Sequence, residues 1–162
     1  MVHPPGGRDP GGVRILTASW PVVILALPPA MNEDTMRELV RQMEALYARR
    51  QRYALITDTR RLVSVPGAKE RKLLTDWLTR PDQIENQRTW NVGSSTIVPN
   101  ALLRGALQAI YWVWTAPNPQ HVAGHLDDAW RFCIDALTKQ GVPLPAPSVE
   151  LRRTADRELG ST

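Results

Sequence analysis

Apolar positions along the chain repeat with two different spacings, and the switches between them lay out an order of strands and helices. Val13 to Ser19 and Trp20 to Leu27 are two short β-rich runs broken at Trp20-Pro21, the spacing of a hairpin or of two adjacent strands. Pro28-Pro29 closes the second run. Asn32 then offers an N-cap, with Glu33 and Asp34 in the first turn, where the helix dipole favours negative charge. Met36, Leu39, Val40, Met43, Leu46 and Tyr47 follow at steps of three and four, one face of an amphipathic helix. Arg49, Arg50 and Arg52 crowd its carboxyl end, again matching the dipole.

Tyr53 to Thr57 is apolar without alternation, as expected of a strand covered on both faces. A second helix starts near Pro66 and carries Leu73, Leu74, Trp77 and Leu78 inward. Pro81 kinks or ends it, with a further turn over Asp82 to Arg88. Trp90 to Val98 reads as the next strand, weakened by Gly93-Ser94-Ser95. Asn100 caps a third helix over Ala101 to Thr115, which Pro117 and Pro119 stop. A short strand at His121 to Ala123 and a final helix over Asp127 to Gln140, closed by Gly141, complete the order. The prediction is a single α/β domain: a mixed sheet of about five strands with about four helices, in the order β-β-α-β-α-β-α-β-α.

Residues 1–12 and 142–162 show no apolar periodicity and begin rich in Pro and Gly, so both are expected to be mobile tails around a domain over 13–141. A net charge of +4, its positive charge almost wholly Arg, is compatible with nucleic acid or an anionic membrane but argues for neither; no basic run is interleaved with aromatics and no zinc-finger or RNP-type motif is present, so no nucleic-acid partner is expected. The longest apolar stretch, Val22 to Leu27, is too short to span a bilayer, and 1–12 lacks the apolar core of a secretory signal. A cytoplasmic protein without stable membrane insertion is the expectation. The single cysteine, Cys133, excludes an internal disulfide.

In an open α/β sheet, ligands and partners bind outside the carboxyl ends of the strands. YALITDTRR, Tyr53 to Arg61, ends at such an edge. Asp58, Thr59, Arg60, Arg61 and Ser64, with the amino end of the second helix, suit an anion, because free N–H groups and Arg forks match phosphate. The competing reading has Asp58 capping local backbone N–H groups while the arginines lie in solvent. On the third helix, projection at 100° per residue puts Leu103, Ala106, Ile110 and Val113 inward, with Arg104, Gln108 and Thr115 opposite. Trp112 beside Gly105, Ala109 and Ala116, with Tyr111 at the border of the polar strip, forms a candidate contact surface. The alternative is that Trp112 covers a sheet edge of its own domain. Phe132 falls off the inward face of the last helix (Trp130, Cys133, Ile134, Leu137) and is grouped with Arg104, Tyr111 and Trp112 as interface.

Neither a cofactor nor a metal is expected: His121 and His125 are separated by Gly124 and have no third ligand nearby. Asp127 and Asp128 read as helix-start charges, and Cys133 as a core residue rather than a nucleophile. No catalytic residue can be nominated.

The element order, YALITDTRR, NALLRGALQAIYW and DDAWRFCIDAL together resemble single-domain proteins of the bacterial STAS-like class, related in fold to anti-sigma-factor antagonists. The resemblance implies a non-enzymatic regulatory module acting on a protein partner or as a homodimer. Phosphorylated antagonists carry an Asp-Ser pair after this strand. Here the region reads Leu62-Val63-Ser64-Val65-Pro66-Gly67, which leaves Ser64 as a candidate phosphosite without the preceding Asp. The alternative function is a sensor of a small molecule, lipid or anion at the carboxyl edge of the third strand, with a small anionic ligand as partner.

Overall fold

A computed structural model describes residues 11–160. The strands are β1 (Arg14–Leu16), β2 (Val22–Ala26), β3 (Tyr53–Asp58), β4 (Asn91–Ile97) and β5 (Gln120–Ala123). The helices are α1 (Glu33–Ala48), α2 (Ala68–Leu78), α3 (Pro81–Trp90), α4 (Ala101–Val113), α5 (Leu126–Lys139) and α6 (Ser148–Gly160). One sheet orders the strands β1-β2-β3-β4-β5, with β1 antiparallel to β2 and the remaining pairs parallel. The mixed five-stranded sheet expected from the sequence is therefore present, with six helices among the described residues rather than about four.

Local signals explain most element starts. Asn32 accepts from Thr35 N–H at 2.9 Å while Thr35 Oγ1 accepts from Asn32 N–H at 2.7 Å, a reciprocal cap on α1. Asn100 accepts from Leu103 N–H at 3.0 Å and starts α4. At the end of α5, Gly141 takes φ +66°, which points its N–H at Thr138 O and that of Val142 at Leu137 O.

Alternate residues of the central strands feed two cores. Val23, Leu25, Tyr53 and Leu55 face α1, α2 and α4, while Val22, Ile24, Ala54 and Ile56 face α5 and α6. β4 is buried throughout although it reads NVGSSTI. Its polar groups are satisfied locally: Asn91 Nδ2 donates to Ser94 Oγ at 2.8 Å, and Ser95 Oγ bonds His121 Nδ1 at 2.8 Å. Gly93 lets α5 close in, since a Cβ there would meet Ala136 Cβ at 3.0 Å and Phe132 Cε1 at 3.3 Å.

Three expectations need correction. Trp90 ends α3 instead of opening a strand. α3 itself is a ten-residue helix, not a turn, and it buries Gln83 and Gln87 rather than apolar residues. Gln87 Nε2 donates to the carbonyls of Gln83 and Leu78, so burial leaves it paired. The segment expected as a C-terminal tail packs on the sheet, with Leu151 and Ala155 buried and Val142, Leu144, Ala146 and Leu159 against the second core. Arg14 and the Ala18 N–H bond to Glu158, fastening α6 to β1. The tail expected over 1–12 lies outside the described residues apart from Gly11 and Gly12.

Candidate functional site

At the carboxyl end of β3 the Asp58 side chain is buried and both its oxygens are taken. Arg60 donates its backbone N–H and Nε to Oδ1, at 3.0 and 2.9 Å, and a terminal guanidinium N–H to Oδ2 at 2.8 Å. This fork raises the Arg60 pKa above its ordinary value. Thr59 Oγ1 donates to Ile97 O at 2.6 Å and ties the exit of β3 to the end of β4. Asp58 thus caps locally, as the competing reading had it; Arg60 folds back on the carboxylate while its side chain stays partly in solvent, and Arg61 is exposed. Ser64 is exposed in the loop before α2, whose N-cap Gly67 supplies no side-chain bond.

α4 has a different character. It is apolar over most of its length, yet Leu103 alone among its residues is buried. Its inward arc runs through Leu103, Leu107, Ile110 and Tyr111, and Trp114 continues it beyond the helix end. Val113, expected inside, is exposed; it projects about 80° from Leu103 at 100° per residue, outside that arc. Trp112 lies nine positions beyond Leu103, hence on the opposite side, and is 85% exposed. Val113 beside it is 64% exposed, and Leu102, ten residues earlier and ~15 Å along the axis, is 71% exposed. The alternative in which Trp112 covers its own sheet edge is excluded by that exposure. Arg104, Gln108 and Tyr111 border a shallow depression toward Val122 on β5.

Phe132 does not share this surface. It is half-buried on the other side of the sheet and stacks on His121 at 4.8 Å between ring centres. The side chain missing at Gly93 makes room for it, so a position projecting off the main inward row still meets the sheet.

Between α1, α2, α4 and the sheet lies a cavity of about 190 Å³, partly open to solvent, which no expectation from the sequence included. Met31, Met36, Met43, Leu74, Trp77 and Leu107 make it mainly apolar, while Thr57 and Thr59 reach it from the β3 edge. Methionines adapt to irregular gaps, and their clustering in α1 was the available signal. The amino edge of β4 and β5 is polar but self-satisfied: Tyr111 Oη donates to Gln120 Oε1, Gln120 Nε2 to Asn118 Oδ1, and Asn118 Nδ2 to Asn91 O. Trp114 Nε1 is the exception, buried with no partner. By contrast the indole N–H groups of Trp77 and Trp130 bond Glu44 and Ser148 at 3.0 Å.

Reactive groups elsewhere are engaged. Burial pushes the Cys133 thiol well up, and Sγ donates to Leu55 O at 3.6 Å. Among the described residues no group of three or more His, Cys, Asp or Glu is placed to hold a metal, and no helix is long and apolar enough to cross a membrane.

No protein-family model matches the chain, and no curated protein matches it. Among solved structures it is similar to an anti-sigma factor antagonist from Mycobacterium paratuberculosis, at 17% identity and a TM-score of 0.48, over 78% of this chain and 98% of that one. That protein is of the group the sequence patterns resemble. The likeness concerns the arrangement of elements and carries no argument about function; the fold class stands on the sheet order given above.

Proposed function

We propose that the protein is a non-enzymatic, STAS-like regulatory module that recognises a protein partner through the outward face of α4. One observation carries this reading: a Trp at 85% exposure, next to exposed Val113, on a helix whose opposite side faces its own domain. Large aromatics are costly to leave in water and are enriched where proteins meet. The partner is a second copy or a different protein, met in the cytoplasm. The non-enzymatic part is supported by Cys133, which is buried, and by His121, which is held between Ser95 and Phe132.

Sedimentation velocity and affinity capture on native and Trp112→Ala protein test it. We expect the substitution to weaken assembly or capture at least tenfold, since a central aromatic anchor contributes ~2 kcal/mol or more. Unchanged assembly together with unchanged capture overturns the proposal.

A second reading, small-molecule sensing, is favoured by the cavity that reaches Thr57 and Thr59 at the carboxyl edge of β3. Its anionic form is disfavoured there, because Arg60 is already committed to Asp58. Native mass spectrometry of the purified protein separates the two readings: a retained small molecule favours sensing.

A further inference from the structure

We propose that the cavity beneath α4 is a binding site for an uncharged, hydrocarbon-rich small molecule, an aromatic ring or short branched alkyl group of roughly six to eight non-hydrogen atoms, held by apolar contact. The inference rests on the sensing reading and is independent of partner docking through Trp112.

Size and walls agree. An engineered apolar cavity of about 150 Å³ stays dry and holds a benzene ring, so the 190 Å³ here suits a body of that size or slightly larger. Met36 and Met43 come from α1, Leu74 and Trp77 from α2, Leu107 from α4, and Leu55 from the sheet. Such walls offer little to water, which needs two to four polar partners, and much to hydrocarbon. The flexible thioethers can adjust to the outline of an occupant.

α4 supplies an independent observation. The helix is largely apolar, yet only Leu103 is buried, while Leu107 and Ile110 on its inward side stay half-buried. Both face the cavity, so open space rather than packed side chains lies beneath them. An apolar occupant completes their burial and supports the helix from below.

The polar residues of the lining do not call for a polar ligand. Thr59 Oγ1 donates to Ile97 O, Gln87 Nε2 to the Gln83 and Leu78 carbonyls, and Asn91 Nδ2 to Ser94 Oγ. Trp114 Nε1 is buried without a partner but has essentially no accessible surface, so it makes no demand on an occupant.

Charge is disfavoured for a separate reason. Among the described residues Arg71 is the one charged residue on the lining, and one of its guanidinium N–H groups donates to Pro66 O at 2.6 Å. A carboxylate in the cavity would be desolvated against at most one cation, and an ammonium against no anion.

Calorimetric titration of the full chain at neutral pH with toluene, benzoate and benzylammonium tests this. The three probes share a ring and differ in charge. We expect saturable one-to-one binding of toluene, with both charged probes at least tenfold weaker. Toluene at a hundredfold excess over its Kd should raise Tm by roughly 5–10 °C. Ala106→Leu and, from the opposite wall, Leu74→Phe narrow the cavity; each variant that keeps the native circular dichroism should bind toluene at least tenfold more weakly. Trp112→Ala should leave toluene affinity unaltered. Absence of saturable toluene binding overturns the proposal. So does a charged probe that binds as tightly as toluene, toluene affinity that survives both cavity-narrowing variants, or affinity that falls with Trp112→Ala as far as with Ala106→Leu. If toluene fails while native mass spectrometry shows a retained polar or charged molecule, the apolar ligand class is lost and the sensing reading stands; if nothing is retained either, both fall.

Discussion

Asp58 and Arg60 show how a residue pattern can be read correctly in place and wrongly in role. The position at the end of β3 is legible from the apolar run before it. The pairing is not, because sequence spacing alone does not show that a guanidinium two residues on will turn back onto the carboxylate. Replacing Asp58 by Ala should cost about 1–3 kcal/mol, a figure that allows for the partly exposed Arg60. Urea unfolding measures it; a change below ~0.5 kcal/mol would mean the clasp contributes little. Tyr47 offers a second residue-scale test. Burial raises its phenol from 10.0 to about 12, and burial raises that of Tyr53 beside it as well. A raised folded pKa gives stability that is complete below pH 10 and lost as pH climbs toward 12. Tyr47 alone should account for about 3 kcal/mol of that loss, seen as unfolding coupled to tyrosinate absorbance. Capping residues Asn32 and Asn100 were legible because their chemistry is local, whereas Phe132 was misplaced because its burial depends on a glycine thirty-nine positions away on β4.

At the scale of elements, helices with a strong apolar stripe were the readable ones. α1 and α5 bury five and six side chains, and each follows its sequence pattern. α3 was read as a turn because glutamines occupy its buried positions, and hydrogen bonds substitute for the missing hydrophobic signal. α6 escaped because its inward residues, Leu151, Ala155 and Leu159, are few and small, set among charges. Its contribution is still real. Leu151→Ala should destabilise by about 2–4 kcal/mol in thermal or chemical unfolding, since the side chain is buried in the second core. A cost near that of a surface substitution would show that α6 only rests on the sheet. Within α4 the projection placed Leu103, Ala106 and Ile110 on the side that lines the cavity and was wrong about Val113, which falls just past the edge of an arc running from Ala106 to Tyr111.

For the whole molecule, the order of strands was recoverable and the empty space was not. A cavity is a property of three helices and a sheet meeting at a distance, and no local period encodes a gap. The methionines gave its material but not its location. The long-range bonds between β1 and α6 bear on when the fold can be completed. Arg14 waits for Glu158, 144 residues later, before its guanidinium has that carbonyl to bond. At roughly 5–20 residues per second, a ribosome needs on the order of ten to thirty seconds to deliver that partner. During that interval the α6-facing side of β1 and β2 is uncovered on the nascent chain. Chains stalled before Ser148 should be cut by protease within β1, and chains long enough to expose α6 outside the ribosome should resist; equal resistance in both would show that β1 does not depend on the late helix.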